Sequence, residues 1–217
     1  MADRIQFLFM YFPIFLLSLT IHEFCHGFVA YKKGDPTAKF MGRLTLNPLP
    51  HIDPIGTVVF PIFSILFGGI YFAWAKPVPV NPAHFKHRVS DMFWVALAGP
   101  ASNFALAFFS AWIYGMTVQY GHRWMDATMV QIVIDLSRMS LYLNLALCFF
   151  NLIPLAPLDG SKIIGRLLPD SLRSSIEQIN PMVGSMILLA LFVSGILRYI
   201  AIPIYIAAHF LERLFMW

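Results

Sequence analysis

The chain has 217 residues, 59% of them hydrophobic and only 12% charged, with a formal net charge of +4 and a mean hydropathy of +0.70. Several stretches reach the ~20 apolar residues that cross a ~30 Å hydrocarbon core, which excludes a soluble domain. The lysines and arginines fall in loops between those stretches, as membrane orientation requires, so the positive charge does not point to nucleic acid.

The first apolar run, residues 5–31, reads IQFLFMYFPIFLLSLTIHEFCHGFVAY. It is longer than the apolar region of a signal peptide and lacks a small-residue cleavage site, so it is expected to be retained. Inside it stands His22-Glu23-Phe24-Cys25-His26. On a helix, positions i and i+4 lie about 40° apart, so His22 and His26 point the same way. Two imidazoles so placed can hold two corners of a tetrahedral Zn²⁺ at about 2.0–2.1 Å. Glu23 is then expected to reach the open side of the metal and take a proton from bound water. Ionisable groups are costly in an apolar membrane helix and point to function by default. The plainer alternative is a polar seam hydrogen-bonded to neighbouring helices. Cys25 and Cys148 both lie in apolar helix and form no disulfide framework; Cys25 reads as a small core residue.

A turn-rich stretch follows, KKGDPTAKFMGRLTLNPLPHIDP, broken by Gly34, Pro36, Gly42, Asn47-Pro48 and Pro50. Residues 40–46 within it are expected to form a short strand or hairpin. A second apolar run, 55–75, carries Pro61 and Gly68-Gly69 and leads into WAKPVPVNPAHFKHR. A third spans 92–118. Residues 119–137 read as a loop plus an interfacial helix, and a fourth run from about Met139 ends in NLIPLAPLDG, residues 151–160. A basic loop then leads to two closely spaced apolar segments, 182–197 and 199–217. His51, His84 and His87 read as interfacial hydrogen-bonding groups, and Asn144 as a helix–helix hydrogen bond.

A catalytic zinc needs a third protein ligand. His51 and Asp53 stand among turn formers, and Asp135 is three residues from Arg138, a spacing that favours a local ion pair. Asp159 ends an apolar run broken by Pro154 and Pro157, and irregular backbone at membrane depth is tolerated only when buried in protein or lining a cavity. Asp159 is therefore the favoured third ligand, against the alternative of an N-cap for a helix starting at Gly160.

HEFCH, AGPASN at residues 98–103 and NLIPLAPLDG at 151–160 together resemble the site-2 protease family of intramembrane zinc metalloproteases. That family carries HExxH, GPxxN and NxxPxxxLDG in this order. The resemblance implies that His22, His26 and Asp159 bind one Zn²⁺, that Glu23 activates the water, and that Asn103 and Asn151 help hold the substrate strand. It also implies transmembrane protein substrates met within the bilayer. GRLTLNPLPHIDPIGT and WAKPVPVN look like those of compact prokaryotic members without a PDZ or CBS domain, a resemblance that implies a prokaryotic cell (inner) membrane as the expected location.

Geometry adds a constraint. His22, His26 and Asp159 all lie near the C-terminal ends of their runs, so those runs must be parallel, with an odd number of crossings separating them. Residues 55–75 are then expected to be re-entrant or partly inserted. On that arrangement Lys32, Lys33, Lys39, Arg43, Lys76, Lys86, Arg88, Lys162, Arg166, Arg173 and Arg213 are cytoplasmic, and only Arg4, Arg123, Arg138 and Arg198 lie outside, in accord with the positive-inside rule. The N-terminus is outside and the zinc nearer the cytoplasmic face. The expected fold is an all-α polytopic membrane protein with about five transmembrane helices, a re-entrant segment and a short membrane-associated β element. Residues 1–160 form the catalytic membrane core, and residues 161–217 a basic cytoplasmic loop and a C-terminal helical pair. The expected activity is hydrolysis of peptide bonds in or near transmembrane segments. A zinc transporter would need a chain of ionisable residues across the membrane, and a desaturase several further histidine clusters; neither is in the sequence. An inactive helix-binding homologue would not need the intact Glu23.

Overall fold

A computed structural model describes residues 2–67, 74–169, 171–173 and 180–216. Its helices are α1 (Ala2–Lys32), α2 (Thr37–Phe40), α3 (Phe60–Phe67), α4 (Arg88–Tyr120), α5 (Ala127–Asn151), α6 (Asp159–Gly165), α7 (Pro181–Val193) and α8 (Ala201–Phe215). At 1.5 Å per residue, α1, α4 and α5, of 31, 33 and 25 residues, each exceed the ~30 Å of a hydrocarbon core. The segments Met182–Val193 and Ile196–Phe215 pass the same test only as a pair, bent by 81°. The described residues thus hold three candidate spans, or four with the bent pair, where the apolar runs suggested about five.

Side-chain pairs fix the helix directions. From α1 to α4, the ion pair Lys33–Asp91 (3.0 Å) is followed by His26 on the Val95 carbonyl and His22 on Asn103. Numbers fall along α1 as they rise along α4, so the two are antiparallel. Asn103 meets Asn144 and Ser110 meets Ser140, which makes α5 antiparallel to α4 as well. Helices α1 and α5 are therefore parallel, as a shared metal requires. The third and fourth apolar runs extend further than composition suggested. Rather than a loop plus an interfacial helix, residues 127–137 continue α5, which starts where the Asp126 carboxylate accepts the Met129 N–H.

The packing is that of a chain whose outer solvent is hydrocarbon. Leu17, Phe109, Leu189, Ile206 and Phe210 face outward, while Ser18, Thr20, Asn103 and Asn144 are buried. Small residues let α4, α5 and α8 approach: Ala107, Ala111 and Ala208 pack with Leu141, Leu145 and Leu211. The Gln119 side chain donates to the Phe215 carbonyl (2.6 Å). The C-terminal end of α8 thus lies at the end of α4 away from Asp91. Arg213 belongs with Arg123 at that end, not with the basic loops where charge counting placed it. Arg138 pairs with Glu212 (3.1 Å) rather than with Asp135, which instead accepts from Gln131 one turn away. The buried Glu212 needs a cation, and the surface Asp135 does not.

Two expectations concern the stretch between α1 and α4. Residues 40–46 form no strand. Gly42 turns the chain at φ +66°, the Arg43 guanidinium donates to the Pro50 carbonyl, and His51 Nε2 donates to the Thr45 carbonyl. Backbone turn bonds take the N–H groups of residues 40–43, which donate to the carbonyls of Pro36, Thr37, Lys39 and Ala38. A side chain takes the Thr45 carbonyl, so these groups are not offered to a neighbouring strand. Residues 52–75 are stitched at their base: Lys76 N–H donates to the His51 carbonyl (3.0 Å), Trp74 N–H to the Gly56 carbonyl (3.2 Å), and the Thr57 hydroxyl to the Trp74 carbonyl (2.7 Å). The segment returns to the level at which it left, the geometry a re-entrant segment requires. Among the described residues its helical part is a π-helix, Pro54–Val59, running directly into the eight residues of α3. Gly68-Gly69 lie outside the described residues.

The stitched base gives a direct expectation. Lys39→Cys and Lys86→Cys should be labelled by an impermeant thiol reagent from the same face of the membrane, and Arg123→Cys from the other. Labelling at 39 and 86 from opposite faces would refute it.

Candidate metal centre

Each histidine of the HEFCH turn is fixed from behind. His22 Nδ1 lies 2.6 Å from Asn103 Oδ1, and His26 Nδ1 lies 2.6 Å from the Val95 carbonyl oxygen. The Asn103 amide is itself oriented, because its Nδ2 donates to Asn144 Oδ1 (2.9 Å), whose own Nδ2 donates to the Ser140 carbonyl (2.9 Å). Both acceptors are therefore oxygens with no proton to give. Each imidazole carries its proton on Nδ1 and, when neutral, presents Nε2 as a bare lone pair.

Those lone pairs converge. The two Nε2 atoms are 3.0 Å apart, and Asp159 Oδ2 lies 3.3 Å from that of His22 and 3.2 Å from that of His26. Asp159 Oδ2 is buried and has no hydrogen-bond partner. Three acceptors so close repel one another unless a cation lies between them. Donors bound at 2.0–2.1 Å at the corners of a tetrahedron lie about 3.3 Å apart. The residues fit zinc, and among the described residues this is the one cluster of three such groups.

Asp159 reaches the cluster from the first turn of α6. Leu158 holds the N-cap position and no side chain caps the helix, so Asp159 is not a cap for a helix beginning at Gly160. The close packing of that turn needs Gly160, where a Cβ would overlap the Leu152 and Ile153 carbonyls. The other candidates for the third ligand are occupied elsewhere. Asp53 accepts from Ile55 and Gly56 N–H, Asp135 accepts from Gln131, and His51 is engaged by Thr45.

Glu23 Oε2 accepts the Val78 N–H at 2.8 Å. Glu23, both histidines, Asp159, Asn151 and Val78 line a cavity of about 150 Å³. Of the two asparagines suggested by resemblance, Asn151 is on that cavity; its Nδ2 donates to the Leu147 carbonyl (2.9 Å). Asn103 is not. It is fully buried behind His22.

Two contributors escaped sequence reasoning. The Val95 carbonyl is backbone and leaves no mark on residue identity. Gly99 did leave one: a glycine inside a helix costs about 1 kcal/mol against alanine. A Cβ there would collide with both imidazoles, lying 2.6 Å from His22 Nε2. Gly99 clears the space in which the two rings stand.

The family model of Peptidase family M50 matches residues 10–123 and 116–193. The presumed zinc metalloprotease YwhC of Bacillus subtilis (strain 168) is 40% identical over 204 residues, 90% of this chain and 89% of its own length. Over 92 residues, 42% of this chain and 34% of its own, the presumed zinc metalloprotease Rip2 of Mycolicibacterium smegmatis is 39% identical. Rip2 of Mycobacterium tuberculosis is 36% identical over the same length. No solved structure is significantly similar. The chain belongs to peptidase family M50 and is an intramembrane zinc metalloprotease, in agreement with the resemblance carried by its three motifs.

Purified protein is expected to carry about one zinc per chain, and Asp159→Ala to lose most of it in elemental analysis. Asn103→Ala should weaken zinc binding by about 10–100-fold in competition with a chelator, since it removes the acceptor that sets the His22 tautomer. A fully loaded Asp159→Ala protein would exclude Asp159 as a ligand.

Proposed function

We propose that His22, His26 and Asp159 hold one Zn²⁺ and that Glu23 is the general base for hydrolysis of peptide bonds in or beside transmembrane segments of other membrane proteins. The observation that carries this reading is the convergence of three metal-donor atoms beside Glu23. Two of them lie with Glu23 on α1, a helix long and apolar enough to cross a membrane, and the third, Asp159, comes from the first turn of α6. Bound zinc supplies Lewis acidity and brings the pKa of its water to about 7. Glu23 keeps one carboxylate oxygen on the Val78 N–H. The other is left to take the water's proton and deliver it to the leaving amine. Asn151, on the cavity, clamps the substrate backbone. Asn103 acts on His22 instead, holding its proton on Nδ1.

A transmembrane helix hides its carbonyls in i→i−4 bonds, so the substrate must unwind locally before it can be cut. The orientation we assign follows the loops. Lys33, Lys39, Lys76 and Lys86 lie on the stretches that join α1, the stitched segment and α4, and Lys32 and Arg88 are the helix-end residues that border them. The positive-inside rule places that end in the cytoplasm, with the metal centre nearer to it and the N-terminus outside.

Cleavage of a panel of single-span substrates by the protein and its Glu23→Gln variant tests the reading. The variant should keep its zinc and lose about 10²–10⁴-fold in rate. In a matched series, one Gly near the scissile bond weakens helix by about 1 kcal/mol, which should raise the initial rate about fivefold over Ala. Cleavage persisting in Glu23→Gln would remove the assignment to this site, and equal rates across the series would show that unwinding does not limit.

A further inference from the structure

The bond from Val78 to Glu23 is made by a strap, residues 76–81, Lys-Pro-Val-Pro-Val-Asn, which belongs to no helix or strand. Pro77 and Pro79 have no N–H and fix their own φ near −65°, so Val78 supplies the only donor between them. The Val78 side chain is buried against α1 at Gly27, where a Cβ would come within 3.1 Å of it. Both ends of the strap are tied. Lys76 N–H donates to the His51 carbonyl, and Asn81 N–H donates to Asp35 Oδ2 at 2.6 Å.

Asp35 lies in the turn after α1 and is fully buried. Its other oxygen accepts from the Thr37 N–H (3.0 Å), the Thr37 hydroxyl and His84 Nδ1 (2.8 Å). Burial alone would raise the pKa of this carboxyl, but these donors outweigh it and hold the group below the usual carboxylate range. Asp35 is thus a charged post with both oxygens committed. The carboxylate serves its own turn at Thr37, Asn81 at the end of the strap and His84 three residues on, while the Asp35 N–H donates to the Ala30 carbonyl at the end of α1 (2.9 Å).

We propose that Asp35 is a positioning residue for the peptidase reaction: it fixes the strap so that the Val78 N–H holds the Glu23 carboxylate in place beside the metal centre. The inference rests on the role of Glu23 proposed above. A strap serving as a plug would fill the site. Here a cavity of about 150 Å³ persists beside Glu23, with Val78 at its wall. The strap braces the base and leaves room in front of it.

The test compares Val78→Pro, which deletes the N–H, with Val78→Ala, which trims the side chain and keeps it. Asp35→Asn is made alone and in both backgrounds. Each full-length protein is assayed for kcat and KM on a single-span substrate, for zinc content, and for hydrogen exchange across residues 76–87. Val78→Pro should fall about tenfold below Val78→Ala in kcat, with zinc retained. Asp35→Asn should lower kcat about tenfold, change KM less than twofold, and speed exchange in the strap. It should cost nothing further in the Val78→Pro background. An equal loss from Asp35→Asn in both backgrounds would overturn the proposal, and so would an unchanged kcat. A rise in kcat in either Asp35→Asn or Val78→Pro would overturn it in favour of an obstructing strap. Should Asp35→Asn fail to fold, Asn81→Pro, which removes the N–H that Asp35 holds in the strap, carries the same expectations. Absence of cleavage by the unaltered protein, or cleavage by Glu23→Gln, would instead count against the proposed function. The exchange comparison would still decide whether Asp35 anchors the strap.

Discussion

Two oxygens, Asn103 Oδ1 and the Val95 carbonyl, decide what this protein can do. Each lies 2.6 Å from the Nδ1 of a histidine. In a bundle whose outer solvent is lipid, a buried N–H without an acceptor has no water to turn to, and leaving it unmade costs about 1–3 kcal/mol. Both protons are satisfied only when α1 and α4 lie side by side, antiparallel, in one register. The Asn103–Asn144 bond then ties α5 to the same pair. A polar chain from His22 through Asn103 and Asn144 to Ser140 thereby sets helix packing and imidazole tautomers together. Lipid tails are as apolar as leucine and give helices little reason to associate, so such bonds and small-residue contacts must supply the order.

The same arrangement makes the centre depend on a cation. With each Nδ1 carrying its proton, the two Nε2 atoms and Asp159 Oδ2 face one another with nothing to share. Apolar packing alone would separate these groups. They are held together by Gly99, which keeps α4 clear of the rings, and by Gly160, which lets the first turn of α6 close on the Leu152–Ile153 backbone. Metal binding and the last steps of folding are linked on this account, because the site that the ion joins is built from three separate helices.

How much of this the sequence disclosed depended on how local each feature was. The i, i+4 pair His22 and His26 needs only helical periodicity, and the parallel relation of α1 and α5 followed from where the ligands sit in their runs. Asn144 as a helix–helix bond was legible because an amide in an apolar run has few other uses. Features set by distant partners were not. Arg138 chose Glu212, 74 residues away, over the neighbouring Asp135. Arg213 was assigned to the wrong end because the 81° bend between α7 and α8 leaves no trace in hydropathy. Residues 40–46 alternate well enough for a strand, yet Gly42 at φ +66° and the side-chain bonds around His51 bend them into turns. The start of α5 was not legible because His122, Arg123, Asp126 and Asp135 make residues 119–137 read as a loop plus an interfacial helix.

An enzyme that cuts helices has to hold its own reacting groups still while its substrate changes shape. The histidines achieve this through α4, a rigid element packed along α1. Glu23 lies on the same helix as the histidines, but its carboxylate accepts from outside the long helices, from the Val78 N–H. A side chain with three rotatable bonds needs such a partner to stay in one rotamer. The partner itself sits between two prolines, whose fixed φ limits how far the strap can flex. Helix packing would not be enough to set the proposed base, because α1 fixes the Cα of Glu23 and leaves its carboxylate free. The strap completes the site by constraining that last degree of freedom, and its own anchors at His51 and Asp35 lie outside the long helices. The position of the Glu23 carboxylate is thus governed from the loops, at the end of the molecule where Lys33 pairs with Asp91.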